Sequence, residues 1–274
     1  PAGRELGAAL DLLLNAVIDE KVKNEKDRED LKMGKVIVLI SSKGGSGKST
    51  VAVGLASAFS SLSKSALLID ADEGARCLDT MLGVNEDTCF DLGDVLSGRC
   101  EPGDAAINAP ALEGVKVIPS PFSPGQTDFS ALSKVAASAA ESYDYVIIDT
   151  KGQLPAERLA LLPHDAFFIS VVTPDDIAVR NTGLLSAGLW RAGIKCRLII
   201  DRFTLKRPDG KCSCIDNIID RSAARLLGII PEDKYLSRLN SGECRSGKAA
   251  QAMYRIAARI DGNDIPLPKI KNVI

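Results

Sequence analysis

The stretch from Val36 to Phe59 limits what this chain can fold into more than any other part of it. An apolar run of strand length, Val36-Ile37-Val38-Leu39-Ile40, runs into Ser41-Ser42-Lys43-Gly44-Gly45-Ser46-Gly47-Lys48-Ser49-Thr50. Val51-Ala52-Val53-Gly54-Leu55-Ala56-Ser57-Ala58-Phe59 then continues with helix-like spacing. Strand, glycine-rich turn and helix in that order are the context a phosphate-binding loop needs. Gly44, Gly45 and Gly47 lack a Cβ, so successive backbone N–H groups from Gly44 through Ser46 to Thr50 can turn inward on phosphate oxygens. The helix start adds the positive end of its dipole at the same point. Lys48 is expected to reach the β- and γ-phosphates, and the Ser49 hydroxyl to sit on Mg²⁺.

The loop carries more detail than the general motif. Ser42 stands where the first glycine is usual, and an extra lysine, Lys43, precedes the glycine pair. Lys-Gly-Gly-x-Gly-Lys-Ser/Thr resembles the deviant phosphate loop of the MinD/ParA family of ATPases. In that family the extra lysine reaches across a dimer interface to the partner's nucleotide. A cation ~4 Å from a phosphate gains about 4 kcal/mol at an effective dielectric of about 20, before desolvation is subtracted. The resemblance thus implies a homodimer that forms on ATP and Mg²⁺, with Lys43 and Lys48 both serving catalysis.

Two further strands end in carboxylates. Ala66-Leu67-Leu68-Ile69-Asp70 leads into Asp70-Ala71-Asp72-Glu73-Gly74-Ala75-Arg76-Cys77-Leu78-Asp79. That run resembles the family's Asp-x-Asp-x-Gly-Leu-Arg-Asn-Leu-Asp, with Ala75 and Cys77 as departures. By the resemblance Asp70 lies near the Mg²⁺ shell and Asp72 orients or deprotonates the attacking water, the task of the water-positioning residue in other NTPases. The residues alone also fit helix N-capping by these aspartates. Tyr145-Val146-Ile147-Ile148-Asp149 is the second such strand, and Asp149 is expected to hold Mg²⁺ through water. The family continues with Asp-x-Pro-Ala-Gly, whereas this chain reads Asp149-Thr150-Lys151-Gly152. Gly152 still offers an N–H to a γ-phosphate, while Lys151 loosens the turn and adds a cation.

The strand Cys196–Phe203 is similar to the family strand ending Asn-Arg-Tyr/Phe, with Asp201 in place of the asparagine that contacts adenine. An amide both donates and accepts, whereas a carboxylate only accepts. Asp201 suits the adenine amino group and equally the N–H groups of guanine. ATP is the expected nucleotide because the rest of the match is to ATPases. Arg202 follows in the same pocket, and Leu226-Leu227-Gly228-Ile229-Ile230-Pro231-Glu232-Asp233 resembles the strand and loop that close over the base, making Pro231 and Asp233 base-pocket candidates.

Strands and helices alternate from residue 35 to 260, which predicts an α/β fold with a doubly wound, mostly parallel sheet flanked by helices. The resemblance, over about residues 33 to 266, implies a phosphate-loop NTPase of the SIMIBI-like class. Residues 1–32 read as a separate N-terminal helical extension or added segment, with Leu6, Leu10, Leu13 and Val17 as an apolar stripe. Trp190 is expected in the core, and the single histidine, His164, in a loop. With 34 basic and 36 acidic side chains the net charge is −2, so no overall field favours nucleic acid or anionic lipid. Seven cysteines, an odd number, point to a reducing compartment and a cytoplasmic protein. The two prolines after Asp264 cannot build the amphipathic helix with which many family members bind lipid, so membrane attachment finds no support here and would need a further tail.

The resemblance implies a Mg·ATP-binding, slowly hydrolysing switch with a protein activator or effector, and septum-site placement as the cellular role. Two other classes remain open: a ParA-like partition or positioning ATPase, which calls for a basic DNA-binding face, and a metal-cluster maturation ATPase using Cys212 and Cys214.

Overall fold

In the computed structural model the described residues are 33–122, 125, 127–205, 214–233 and 247–267. Expectations for residues 1–32, for Cys212 and for the chain after Leu267 fall outside them. The α/β unit begins at Gly34. Its strands are β1 (Lys35–Ile40), β2 (Ala66–Ala71), β3 (Ile107–Asn108), β4 (Val115–Ile118), β5 (Tyr145–Thr150), β6 (Phe167–Val172), β7 (Cys196–Phe203) and β8 (Arg225–Pro231). The helices are α1 (Lys48–Ser61), α2 (Leu78–Leu82), α3 (Leu92–Leu96), α4 (Pro102–Ala105), α5 (Phe129–Ala139), α6 (Ala156–Leu159), α7 (Asp176–Arg191), α8 (Ile215–Ser222) and α9 (Lys248–Asp261).

The eight strands form one sheet in the order β3-β4-β2-β5-β1-β6-β7-β8. All neighbours are parallel except β3, a two-residue edge strand antiparallel to β4 with Ile107 opposite Val117. The sheet is thus the doubly wound, mostly parallel one expected. β1 lies between β5 and β6, and the chain leaves it toward β2 on one side before returning to β6 on the other. The crevice at the carboxyl end of β1 is therefore the topological switch point where such sheets bind ligands.

Parallel strands buried on both faces read as continuous apolar runs, and successive side chains still alternate between the faces. Ile37, Leu39, Ala66, Leu68, Tyr145 and Ile147 join α1 and α9 in one core. Val36, Val38, Ile40, Leu67, Ile69, Val146 and Ile148 join α3, α5 and α6 in the other. By the same alternation Asp70 and Asp149 fall on the α1 side. α1 is apolar almost all round, as a helix must be when sheet and helix enclose it. At Gly54 of α1 a Cβ would lie 2.9 Å from Met253 Cε, so the missing side chain sets how closely α9 approaches. The Phe59 and Tyr145 rings stack with centroids 3.7 Å apart, and Tyr145 Oη donates to Asp261 Oδ1 at 2.6 Å, fixing the end of α9.

Trp190 departs from the expectation. It is 74% exposed, while α7 buries Ala178, Val179, Thr182, Ser186 and Leu189. Each residue turns about 100° from the last, so Trp190 is rotated off the buried stripe that ends at Leu189. His164 lies exposed in a loop, and Cys214 is an exposed free thiol just before α8. Among the described residues no helix is long and apolar enough to cross a membrane.

Close packing of α7 on α8 depends on Gly183, where a Cβ would overlap the Arg221 carbonyl oxygen. Gly183→Ala is expected to cost about 1–3 kcal/mol through overpacking, read as a fall of several degrees in Tm. Gly103→Ala, which meets open space, leaves Tm unchanged or slightly higher.

Candidate functional site

The loop between β1 and α1 has the backbone a phosphate cradle requires. Gly45 and Gly47 take φ of 69° and 92°, a region that glycine enters without a steric penalty. Nothing lies within 4 Å of a Cβ built on Gly44 or Gly45, so the loop is uncrowded there. Gly47 is different: a Cβ there would overlap Asp201 Oδ2, so a larger residue would have to push that buried carboxylate aside as well as strain the φ of 92°. Lys48 is buried, and its Nζ donates to Ser41 Oγ at 3.1 Å, holding the side chain back along the loop. Ser42 is anchored to α7, donating to Ala178 O at 3.0 Å and lying 3.0 Å from Thr182 Oγ1.

Register then assembles the carboxylates. Asp149 pairs with Leu39 across β5–β1 and with Asp70 across β5–β2, which sets both aspartates beside the start of α1 on one face. Their surroundings differ. Asp70 Oδ1 accepts from Asp72 N at 3.0 Å, and Oδ2 accepts from Cys77 N and Leu78 N, each at 3.1 Å. The capping read from sequence is therefore performed by Asp70, which ties down the loop before α2. Burial pushes its carboxyl up to about 6 against those amide bonds. Asp149 is fully buried; among the described residues the Ser49 hydroxyl is the donor that acts on its carboxylate, without reaching full hydrogen-bond geometry. Burial pushes it up to about 7, with the nearby Ser49 hydroxyl and Lys48 cation drawing it down and Asp70 adding to the rise.

A buried carboxylate with only a serine hydroxyl to answer it suits a hard divalent cation that takes its remaining oxygens from phosphate. The residues present thus fit Mg²⁺ at Ser49 and Asp149.

A cavity of about 1220 Å³ opens on Lys48 and Ser49, while Asp70 and Asp149, the carboxylates expected near the metal, do not line it. Gly44 to Thr50, Asp72, Asp201, Arg202 and Asp233 line it, as the sequence reading grouped them. Asp72 Oδ1 accepts from Gly74 N at 3.2 Å, closing a tight turn. Arg202, at φ 51°, donates to Gly45 O, and its Nε lies 3.5 Å from Asp201 Oδ2. Asp201 Oδ1 is buried without a partner among the described residues, and burial pushes this carboxyl up to about 6 against the pull of Arg202. Pro231 ends β8 opposite Phe203 and does not line the cavity, whereas its neighbour Glu232 does. Gly152 packs on the loop from outside the cavity, where a Cβ would come within 3.2 Å of Gly44 N and Lys43 O. Lys43 is half-exposed, its Nζ 3.8 Å from Asp175 Oδ2 ahead of α7.

The sequence reading missed Ala75, Cys77, Met81, Glu232, Gly247 and Lys248, which also line the cavity. Cys77 was visible as a departure from the family run. Gly247 and Lys248 come from the start of α9, some 200 positions from the loop, and no local signal marks them.

Residues 34–180 match the AAA domain family. The septum site-determining protein MinD of Synechocystis sp. is 31% identical over 248 residues, spanning 85% of this chain and 92% of that protein. The MinC:MinD cell division protein complex of Aquifex aeolicus superposes with a TM-score of 0.76 at 28% identity, covering 86% of this chain and 99% of that one. MinD of Pyrococcus horikoshii, complexed with Mg-ADP, gives 0.74 at 26% identity over 84% of this chain and 97% of that one. With the glycine cradle, the paired strand-end aspartates and the extra lysine in place, the chain belongs to the MinD/ParA family of deviant phosphate-loop ATPases.

Proposed function

We propose that this chain is a Mg·ATP-dependent molecular switch that dimerises around two nucleotides, hydrolyses them slowly and serves in placing the cell-division site. The observation that carries this is the buried Asp149 carboxylate, answered only by the Ser49 hydroxyl and the Lys48 cation, beside a glycine-rich loop that lines the cavity. A cation and a polyphosphate together satisfy every one of those groups, and either one alone leaves some of them unpaired.

The amides of Gly44 to Thr50 hold the phosphates, and Lys48 leaves Ser41 to reach the β- and γ-oxygens. Ser49 and Asp149 hold Mg²⁺, which when bound draws charge from the phosphate oxygens and favours attack at the γ-phosphorus. Asp72 lines the same cavity and orients the attacking water. Gly152 supports the glycine loop from behind, packed against Lys43 and Gly44. Asp70 couples nucleotide state to the 72–78 loop, because its carboxylate bonds to three amides of that segment. Asp201 accepts from the exocyclic amine of the base, with Arg202, Glu232 and Asp233 around it. Lys43 leaves Asp175 for the phosphate of a second copy. MinD of Aquifex aeolicus is in a complex with MinC, and a protein effector that distinguishes the loaded form is proposed here as well.

Two results test this reading. Calorimetry with Mg²⁺ and a non-hydrolysable ATP analogue should show Lys48→Ala losing about tenfold to 100-fold in affinity, the worth of a charge-assisted bond. Lys43→Ala should keep most of that affinity, yet stay monomeric in sedimentation with saturating nucleotide and lose turnover. A dimer that forms equally well without Lys43 would contradict the assignment.

Asp201 gives a pH signature. Its folded carboxyl holds a proton up to about 6 instead of 3.8, so the folded chain loses stability as pH rises through that interval. The full loss is about 3 kcal/mol and persists above pH 6. Asp201→Asn removes an ionisable group that is expensive to bury, so unfolding should show a higher Tm than the parent at pH 8 and little difference at pH 4. Equal differences at both pH values would show that Asp201 is not carrying the strain.

A further inference from the structure

Phe122 is 67% exposed, yet its ring covers the Arg76 guanidinium, with Arg76 Cζ 3.5 Å from the ring centroid. Single apolar side chains on a surface are ordinary. This one is tied by its backbone, because Phe122 N donates to Asp91 Oδ2 at 2.8 Å and Asp91 also caps α3. The ring is thus aimed from the cap of α3 and is not drawn into a core.

Arg76 is the residue that the ring holds. Its φ of 39° lies in the left-handed region, where a residue with a Cβ stays only if its surroundings fix it there. Its contacts supply that. Arg76 N donates to Asp72 O at 3.1 Å, Nε to Asp79 Oδ2 at 3.0 Å and Nη1 to Ser120 O at 2.9 Å, and the phenyl face closes over the guanidinium. Asp79 and Ser120 do not line the nucleotide cavity, whereas Asp72 does. Asp72 O accepts from both Ala75 N and Arg76 N, each at 3.1 Å, so the turn that carries Asp72 closes on Arg76. A second strut runs beside the first: Thr127 Oγ1 donates to Glu73 Oε1, and Thr127 O accepts from Arg158 Nη2 at 3.0 Å. The 72–76 turn is therefore braced by Ser120, Phe122 and Thr127 while its Asp72 faces the cavity.

We propose that Phe122, acting through Arg76, is a positioning residue for hydrolysis: its ring keeps the 72–76 turn closed and so keeps Asp72 at the cavity. The Arg76 side chain is mostly buried, and a cation gains more from an aromatic face as water is excluded from it. An aliphatic side chain at position 122 has no such face to offer. The inference rests on the proposed role of Asp72 in orienting the attacking water.

Two measurements on the full chain test it. In the nucleotide-free protein, amide hydrogen exchange at Ala75 and Arg76 should be about two- to fivefold faster in Phe122→Leu, the worth of one cation–π contact, and unchanged in Phe122→Tyr, which keeps the ring. Exchange in β1 and β5 should stay at the parent's rate, which a general loss of stability would not allow. With saturating Mg·ATP, Phe122→Leu should lower kcat by a similar factor, while affinity for a non-hydrolysable analogue stays within about twofold, and Phe122→Tyr should restore turnover. Arg76→Lys keeps the charge but loses the forked donors, so it should slow turnover at least as much, and adding Phe122→Leu to it should cost nothing further. Equal exchange or equal kcat in Phe122→Leu and the parent, or an equal loss in Phe122→Tyr, would overturn the proposal. No binding or no hydrolysis by the parent removes the functional reading and the positioning role with it. Normal binding and turnover, with exchange and kcat indifferent to the ring, removes only the inference about Phe122.

Discussion

Asp149 stands between two neighbours, Leu39 on β1 and Asp70 on β2, and the parallel register that puts it there governs the whole site. A slip of β5 by one residue would turn Asp149 to the opposite face, away from α1 and Ser49, and a slip of β2 would do the same to Asp70. The register is held because Val36 to Ile40, Ala66 to Ile69 and Tyr145 to Ile148 are apolar on both faces, and each face has its own core to fill. The energy that fixes the register comes from packing. The cost is borne at the strand end, where the Asp149 carboxylate is buried with only the Ser49 hydroxyl to answer it. A folded chain meets such a cost by keeping the proton, as the raised carboxyl does, or by pairing the charge with a cation.

The same logic separates the two aspartates, which look alike in the sequence. Asp70 is saturated by the amides of residues 72, 77 and 78, so its work is to hold the loop that carries Asp72 and Cys77. Asp149 has no such amide bonds and only the Ser49 hydroxyl acting on it. Arg76 extends this tether, with its guanidinium over the Phe122 ring and bonded to Ser120 O and Asp79. Thr127 continues it by donating to Glu73. The 72–79 segment is thus attached both to the cavity and to Ser120, Phe122 and Thr127, a physical route by which the state of one could reach the other.

What could be read from the sequence was what is local. The strand–loop–helix at Val36 to Phe59 and the strand-end positions of Asp70, Asp149 and Asp201 follow from apolar periodicity and glycine placement, and the sheet realises them. The pairing of Lys43 with Asp175, the closeness of Cys77 to Ser49 and the presence of Gly247 and Lys248 at the cavity join positions far apart in the chain, where periodicity says nothing. Trp190 failed for another reason: a large aromatic suggests a core, yet α7 buries mainly small residues and leaves the indole outside. The antiparallel β3 escaped notice because two residues carry no alternation to detect.

The central claim is that Asp149 and Ser49 share a cation beneath a triphosphate held by the glycine loop. A crystal structure of the chain grown with Mg²⁺ and a non-hydrolysable ATP analogue tests it most directly. The account predicts phosphate density against the amides of Gly44 to Ser49, the metal between Ser49 and the Asp149 side, and the base beside Asp201. Nucleotide bound elsewhere, or phosphates in the loop with the metal far from both residues, would contradict it.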